Sequence, residues 1–198
     1  ADQLIAMPDK VSFVDASSLP VAYGTAHRMI ITHKTIKAGD KVLILGASGG
    51  VGTGCILLAK MLGAEVIACT SSNEKVEALA KFGADHVINV NEEDPLQRIM
   101  EITGGRGVDV SLDCSSGAGT IPMLLAIEAL KRKGGLIVAQ GEMSQFPNFP
   151  LEKFCVKWIT MKSARGHSYR SCELALEQLA SKRFPIDLIC THEFVLKD

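Results

Sequence analysis

The chain has 198 residues, 47% of them hydrophobic and 22% charged, so it is long enough for one well-filled domain and too apolar to be disordered. Its 21 Lys and Arg residues are balanced by 22 Asp and Glu residues, which disfavours nucleic acid or an anionic membrane as the main partner. There is neither a secretory signal nor an apolar run of bilayer length, so we expect a cytoplasmic protein without membrane contact.

Residues 1–36 form a lead-in segment with helical signals. Ser12 to Asp15 has the pattern of a capping box, and Pro20 is expected to open a second helix that runs to about His33. Neither helix belongs to the alternating pattern that begins at residue 37. We therefore separate residues 1–36 from the main domain.

Residues 37–185 alternate between short apolar runs and helical patterns. The runs typical of buried strands are Lys41 to Leu45, Glu65 to Cys69, His86 to Val90, Val108 to Asp113, Leu136 to Ala139 and Trp158 to Met161. Helical spacing of apolar residues occurs at Val51 to Leu62, Asn73 to Phe82, Pro95 to Thr103, Thr120 to Lys131 and Tyr169 to Lys182. This alternation predicts an α/β Rossmann-type fold, a doubly wound parallel sheet of six strands with helices on both faces.

The residues after 185 and the six cysteines give two further predictions. Ile186 to Val195 is predicted to be an extended strand with no partner in view, and we separate residues 186–198 from the main domain. Six cysteines are widely spaced and form no C-x-x-C pair, which is typical of a reduced protein with structural cysteines. No zinc site is expected in this chain.

The strand Lys41 to Leu45 leads directly into a glycine-rich turn and then a helix. The turn residues are Gly46, Ala47, Ser48, Gly49, Gly50, Val51 and Gly52. Glycines at such a joint let a pyrophosphate approach the backbone, where the first helical N–H groups and the helix dipole meet its charge. The same glycines would also serve helix-to-sheet packing, but their place at the first joint of a βα series favours dinucleotide binding.

The end of the next strand discriminates between the two nicotinamide dinucleotides. An NAD-preferring domain has an acidic residue there for the ribose 2′-hydroxyl, whereas this chain has Thr70. Ser71, Ser72 and Lys75 are donors for a 2′-phosphate, so NADPH is favoured over NADH. Alternatively, Thr70 and the serines only cap the following helix and Lys75 is solvated, and Glu74 adds an opposing negative charge.

Ligands of parallel α/β sheets lie at the carboxyl ends of the strands. The nicotinamide is therefore expected beside the residues that follow the fourth and fifth strands, which are Cys114, Ser115, Ser116, Gln140 and Gly141. Ordinary loop polarity explains any single one of them equally well. Catalytic residues stay unassigned, because no acid/base or nucleophile constellation is recognisable and the histidines are dispersed at His27, His33, His86, His167 and His192.

Five blocks of the sequence are shared with a known family. They are Pro8 to Ile30, Ala38 to Ala68, Phe82 to Asn89, Gly104 to Gly117 and Gly134 to Gly141. In this order they resemble the medium-chain dehydrogenases/reductases, the superfamily of zinc-type alcohol dehydrogenases and quinone oxidoreductases. The glycine spacing is similar to that of the quinone oxidoreductase branch, which usually prefers NADPH, although Val90 stands where that branch often has a tyrosine.

The resemblance implies hydride transfer between the nicotinamide C4 and a carbonyl, alcohol, quinone or activated alkene. Full-length members also carry a GroES-like catalytic domain, which builds most of the cleft for the small-molecule substrate, so this chain alone is expected to bind cofactor without turnover. They end with a strand and a helix that return to that domain, and the resemblance implies that residues 186–198 are the truncated start of this return. Ser17 lies near a position where zinc alcohol dehydrogenases supply a cysteine ligand. Members commonly dimerise by continuing the sheet, so Trp158 to Met161 is a candidate edge for a homodimer.

Two other enzyme classes fit less well, and one non-enzymatic class stays open. A short-chain dehydrogenase needs Tyr-x-x-x-Lys, whereas Tyr23 is followed by His27 and Tyr169 by Glu173. A methyltransferase that uses S-adenosylmethionine would place an acidic residue at Thr70. The alternative from another class is a dinucleotide-binding module or sensor that performs no chemistry.

Overall fold

The computed structural model describes residues 4–140 and 146–194. Within them lie the strands β1 (Lys41–Leu45), β2 (Glu65–Thr70), β3 (His86–Asn89), β4 (Val110–Asp113), β5 (Leu136–Ala139) and β6 (Thr160–Ser163). The α-helices are α1 (Phe13–His27), α2 (Gly50–Met61), α3 (Val76–Lys81), α4 (Pro95–Ile102), α5 (Ile121–Ala129), α6 (Leu151–Val156) and α7 (Tyr169–Ser181). A π-helical turn covers Arg28–Thr32, and 3₁₀ turns cover Asn73–Lys75 and Ile186–Ile189.

All six strands form one parallel sheet in the order β3-β2-β1-β4-β5-β6. This is the Rossmann order, and the direction in which strands are added reverses between β1 and β4. The predicted fold is confirmed. The reversal creates a crevice at the carboxyl ends of β1 and β4, where the turn after β1 begins.

The two faces of the sheet are covered by different helices because side chains along each strand alternate. Val42 and Ile44 of β1 belong to a buried cluster that includes residues of α1, α2 and α7. Leu43 and Leu45 point to the opposite face, where they join residues of α4 and α5. The near-continuous apolar runs in the sequence follow from this burial on both faces.

The lead-in segment differs from its prediction. Ser12 caps α1, since its Oγ accepts a hydrogen bond from the backbone N–H of Asp15 at 3.0 Å. Pro20, however, lies inside α1 and opens no second helix. An internal proline costs about 3 kcal/mol of helix stability, and burial of Leu19 and Tyr23 in the core offsets that cost.

The edge strand begins two residues later than predicted, at Thr160 rather than Trp158. Trp158 has a φ of +52°, which no residue of a regular strand adopts. This left-handed residue follows the short helix α6, whose existence was not predicted. The other strands and helices of the main domain match their predicted ranges to within one or two residues at each end, except α3, which begins three residues late, at Val76, after the 3₁₀ turn over Asn73–Lys75.

The predicted strand from Ile186 to Val195 is wrong over the described residues. Ile186–Ile189 forms a 3₁₀ turn, and residues 190–194 contain no strand. Ile186 is fully buried in the cluster shared with α1 and α2, so this segment packs on helices instead of pairing with a strand. Val195 itself lies outside the described residues.

Candidate functional site

The glycine turn lies at the carboxyl end of β1 and leads into α2. Gly46 has a φ of +66°, and a Cβ atom on it would lie 2.7 Å from the Cα and the backbone nitrogen of Ser115. A Cβ atom on Gly52 would lie 2.4 Å from the carbonyl oxygen of Gly46. These two glycines are therefore required by contacts within the chain itself.

Gly49 is different, because no contact within residues 4–140 and 146–194 requires a glycine there. Its φ is −80°, it is exposed, and a Cβ atom on it would meet only the carbonyl oxygen of Gly46, at an ordinary 3.5 Å. Gly49 is the N-cap of α2 and offers no capping side chain. The first N–H groups of α2 have no acceptor within the helix, so an anion can approach them closely on this open side.

The absence of side chains and the free N–H groups match what a dinucleotide pyrophosphate requires. A pyrophosphate placed at this helix terminus would receive hydrogen bonds from the backbone and favourable interaction with the helix dipole. The residues of the turn therefore fit a nicotinamide dinucleotide.

Thr70, at the end of β2, is tied to the glycine turn. Its side chain is only 3% exposed, and Thr70 Oγ1 donates a hydrogen bond to Ser48 Oγ at 3.3 Å. It also accepts one from the backbone N–H of Ser72 at 3.2 Å. Lys75 is exposed and lines a cavity together with Ser48, whereas Ser71 and Ser72 do not line it. Of the predicted phosphate donors, the structure thus brings only Lys75 to the cavity beside the turn.

Asparagine side chains brace the loop after β2 against the loop after β3, which the sequence did not predict. Asn91 Nδ2 donates to the carbonyl oxygen of Ser71 at 2.8 Å, and Asn89 Nδ2 donates to Asn73 Oδ1. Val90 is 38% exposed beside them. The backbone position of Ser71 therefore depends on the side chain of Asn91, in the loop after β3.

At the end of β4, the buried carboxyl group of Asp113 is hydrogen-bonded to Ser115 in the following loop. Asp113 Oδ1 accepts hydrogen bonds from the backbone N–H of Ser115, at 3.1 Å, and from the Ser115 hydroxyl. Burial raises the pKa of Asp113, while the two bonds from Ser115 act in the opposite direction. Asp113 was not a predicted site residue, although an acidic residue at the carboxyl end of a strand is a visible signal in the sequence.

The predicted nicotinamide border is partly assembled. Gln140 Nε2 donates to the carbonyl oxygen of Cys114 at 3.3 Å, which joins the ends of β4 and β5. The thiol of Cys114 points inward instead, and its Sγ lies 3.7 Å from the Sγ of Cys55. Ser116 is exposed. Gly141 lies outside the described residues.

Potential metal ligands and histidines do not cluster at this site in the described part of the chain. Residues 4–140 and 146–194 contain no group of three or more His, Cys, Asp or Glu side chains placed to hold a metal ion. The histidines lie in separate places, and His27 is buried with no hydrogen-bond partner for either ring nitrogen in the described part of the chain.

No helix within residues 4–140 and 146–194 is long and apolar enough to cross a membrane.

Comparison with known proteins assigns the family. Residues 50–181 match the family model described as zinc-binding dehydrogenase. A highly reducing polyketide synthase, apmlA of Arthrinium phaeospermum, is 32% identical over 177 residues, which are 87% of this chain but only 7% of that protein.

Solved structures agree with this match. The alcohol dehydrogenase TADH from Thermus sp. ATN1 superposes with a TM-score of 0.81 and 30% identity, covering 94% of this chain and 54% of its own. The quinone oxidoreductase of Pseudomonas syringae pv. Tomato DC3000 gives a TM-score of 0.76 and 25% identity, covering 94% of this chain and 62% of its own. The resemblance found in the sequence is confirmed, and the chain belongs to the zinc-binding dehydrogenase family.

Proposed function

We propose that this chain is the cofactor-binding half of an NAD(P)H-dependent oxidoreductase. The observation that carries the proposal is the open turn at Gly49, where the N-terminus of α2 meets the reversal of strand order between β1 and β4. Membership of a dehydrogenase family supports it. The parent protein would transfer hydride to or from a carbonyl, alcohol, quinone or activated alkene of a small-molecule substrate.

The residues of this chain would bind and orient the dinucleotide. The N–H groups at the start of α2 hold the pyrophosphate, and Gly46 and Gly52 keep the turn compact beneath it. Ser115 and Gln140, at the ends of β4 and β5, border the nicotinamide ring. When bound, the dinucleotide supplies the hydride donor or acceptor.

Preference for NADPH over NADH is part of the proposal. Thr70 puts no carboxylate at the end of β2, and Lys75 adds a positive charge beside the turn. A calorimetric titration of the chain with NADPH and with NADH tests both the proposed dinucleotide binding and the preference for NADPH. We expect NADPH to bind at least about tenfold more tightly than NADH, which corresponds to about 1.4 kcal/mol. Tighter binding of NADH would refute the preference, and binding of neither would refute the proposed function.

The second candidate is a dinucleotide-binding module or sensor without chemistry. It is favoured by the scattered histidines and by the absence, among the described residues, of a group of three or more potential metal ligands. A turnover assay of the isolated chain with NADPH and a panel of quinones, enones and aldehydes should give negligible rates under either candidate. Robust reduction by the chain alone would show that the catalytic groups lie within it.

The chain spans 7% of the polyketide synthase and about half of the alcohol dehydrogenase, so the activity of the parent protein belongs to the proposal. The proposal includes a domain organisation with a lead-in segment at residues 1–36, the dinucleotide-binding domain at residues 37–185 and a return segment at residues 186–198. All six cysteines are free thiols, which supports a cytoplasmic location. A homodimer formed through the edge strand β6 completes the proposal.

A further inference from the structure

Three sulfur atoms from separate elements meet in the core next to the carboxyl end of β4. They belong to Met29 in the π-helical turn, Cys55 in α2 and Cys114 directly after β4. The Sγ atom of Cys55 lies 3.7 Å from Sγ of Cys114 and 4.0 Å from Sδ of Met29. Because Met29 and Cys114 are 26 and 59 positions from Cys55, no local sequence pattern reveals this group.

The close packing of α1 on α2 brings Met29 to Cys55. Gly54 has no side chain, and a Cβ atom on it would lie only 3.0 Å from the Cβ atom of Ala26. Met29 follows Ala26 by three residues and so lies on the same side of the helical segment. All three sulfur-bearing residues are buried and belong to one apolar cluster, so the fold keeps bulk water away from the sulfur atoms.

We propose that Met29, Cys55 and Cys114 form a binding site for one soft monovalent metal ion, Cu(I). Thiolate and thioether ligands select Cu(I) over harder ions. A metal ion with sulfur bonds about 2.3 Å long, at angles of about 110–120°, holds its ligand sulfurs about 3.7–4.0 Å apart. Both distances measured from Cys55 lie in that range.

The hydrogen bonds within the group show which protons the ion displaces. The Cys55 thiol donates to Met29 Sδ, so the Cys114 thiol is the donor between the two cysteines. Binding of Cu(I) breaks both S–H bonds, forms two copper–thiolate bonds and one copper–thioether bond, and releases two protons to solvent. The single negative charge that results is spread over two polarisable sulfur atoms.

Zinc fits the same residues less well than Cu(I). A structural zinc ion takes four ligands from Cys, His, Asp or Glu, and residues 4–140 and 146–194 contain no group of three or more of these side chains placed to hold a metal ion. Cu(I) is a softer ion that selects thioether as well as thiolate sulfur. The bound ion would tie the segment after α1 to α2 and to the end of β4.

Anaerobic titration of the whole chain with Cu(I), in the presence of the competing chelator bicinchoninate, tests the inference. The parent chain should retain one equivalent of copper, and its melting temperature should rise because the ion binds the folded cluster. Cys55→Ala and Cys114→Ala should each lower the affinity about a hundredfold or more, since each removes a thiolate ligand. Met29→Leu conserves the side-chain volume and should lower the affinity about tenfold.

Cys69→Ala is the matched control. Cys69 is also buried, but it belongs to the cluster on the opposite face of the sheet. This variant therefore loses one buried thiol and the same side-chain volume while it keeps the proposed site, and its copper affinity should stay within about twofold of the parent chain. Cys155→Ser removes the exposed thiol and should also retain the copper.

X-ray absorption of the parent chain loaded with one equivalent of Cu(I) does not depend on whether any variant folds. Three sulfur neighbours at about 2.3 Å are expected, and a shell that contains nitrogen or oxygen would overturn the inference. Loss of the copper from the parent chain to the chelator would overturn it too, as would equal retention by Cys55→Ala, Cys114→Ala and Cys69→Ala. None of these outcomes involves a dinucleotide, so the proposed function is tested separately.

Discussion

A Cβ atom placed on Gly46 would lie 2.7 Å from the Cα of Ser115. The turn after β1 therefore lies directly against the segment after β4, and the strand order reverses between these two strands. Gly46 also has a left-handed φ of +66°. The shape of the turn therefore depends on the missing side chain at Gly46, whether or not a ligand is present.

The substitution Gly46→Ala is expected to lower the free energy of unfolding by about 2 kcal/mol or more. A left-handed conformation costs an L-residue about 1–2 kcal/mol, and the added methyl group would meet backbone atoms of Ser115 that cannot rotate away. Urea denaturation followed by circular dichroism measures the change. A variant as stable as the parent chain would show that the turn adapts without cost.

Gly49→Ala, unlike Gly46→Ala, should change the stability little and should weaken dinucleotide binding. The backbone of Gly49 is in a region open to any residue and its Cβ position is free of close contacts, so the loss of stability should stay below about 1 kcal/mol. The methyl group would project into the approach to the N-terminus of α2, and the affinity for either dinucleotide should fall about tenfold or more. Unchanged affinity would mean that the pyrophosphate does not bind on this open side.

His27 makes stability depend on pH. Its side chain is 5% exposed, and burial, followed by the positive charge of Arg170, lowers its pKa. The folded protein therefore binds a proton on His27 less readily than the unfolded chain does. This contribution to stability is fully present above the unfolded pKa of about 6.5 and is lost as the pH falls below it toward the folded pKa.

His27→Leu should flatten the stability profile between about pH 7.5 and pH 5, because the buried site then has no proton to take up. Urea denaturation at several pH values in that range gives the profile. His192→Gln is the matched control, since His192 is exposed, and it should retain the slope of the parent chain. Equal slopes in His27→Leu and the parent chain would remove His27 as the cause.

The fold was largely predictable because burial on both faces of a parallel sheet produces continuous apolar runs. Errors occurred where tertiary contacts override local signals. Pro20 is held inside α1 by buried neighbours, and the left-handed Trp158 delays the start of β6. Ile186 is buried among helices, so its segment lacks the strand partner that its apolar pattern suggested.

The site was predictable in part for a related reason. The glycine turn is contiguous in the sequence, and its strand-to-helix context is visible without a structure. The hydrogen bond from Thr70 to Ser48 joins residues 22 positions apart, and Thr191, which lines the same cavity as Ser48 and Lys75, is distant from both in the sequence. Such relationships depend on how the elements assemble, so inspection of local sequence patterns did not reveal them.

The thiols should differ sharply in reactivity. Burial raises the pKa of Cys69 to about 12, and the hydrogen bond with Cys55, followed by burial, raises the pKa of Cys114. Since the thiolate is the reactive form, these two residues should resist alkylation in the folded chain, whereas the exposed Cys155 should react first. Iodoacetamide labelling followed by peptide mass spectrometry measures the order.

Cys155→Ser is the matched control and should remove the earliest modification without changing the later ones. Addition of urea should expose the buried thiols and make them react at similar rates. Fast modification of Cys114 in the folded chain, before Cys155, would contradict the burial of the Cys55 and Cys114 pair.

The proposed homodimer predicts a specific effect at the sheet edge. An edge strand presents unpaired backbone groups that can continue the sheet into a second copy, and β6 bears the exposed side chain of Met161, 45% accessible. In a two-fold arrangement the same surface of each copy meets itself, so Met161→Glu would bring two carboxylates together and should yield monomers. Light scattering coupled to size-exclusion chromatography gives the mass directly. Met161→Leu should remain dimeric, and a monomeric parent chain would refute the proposed dimer.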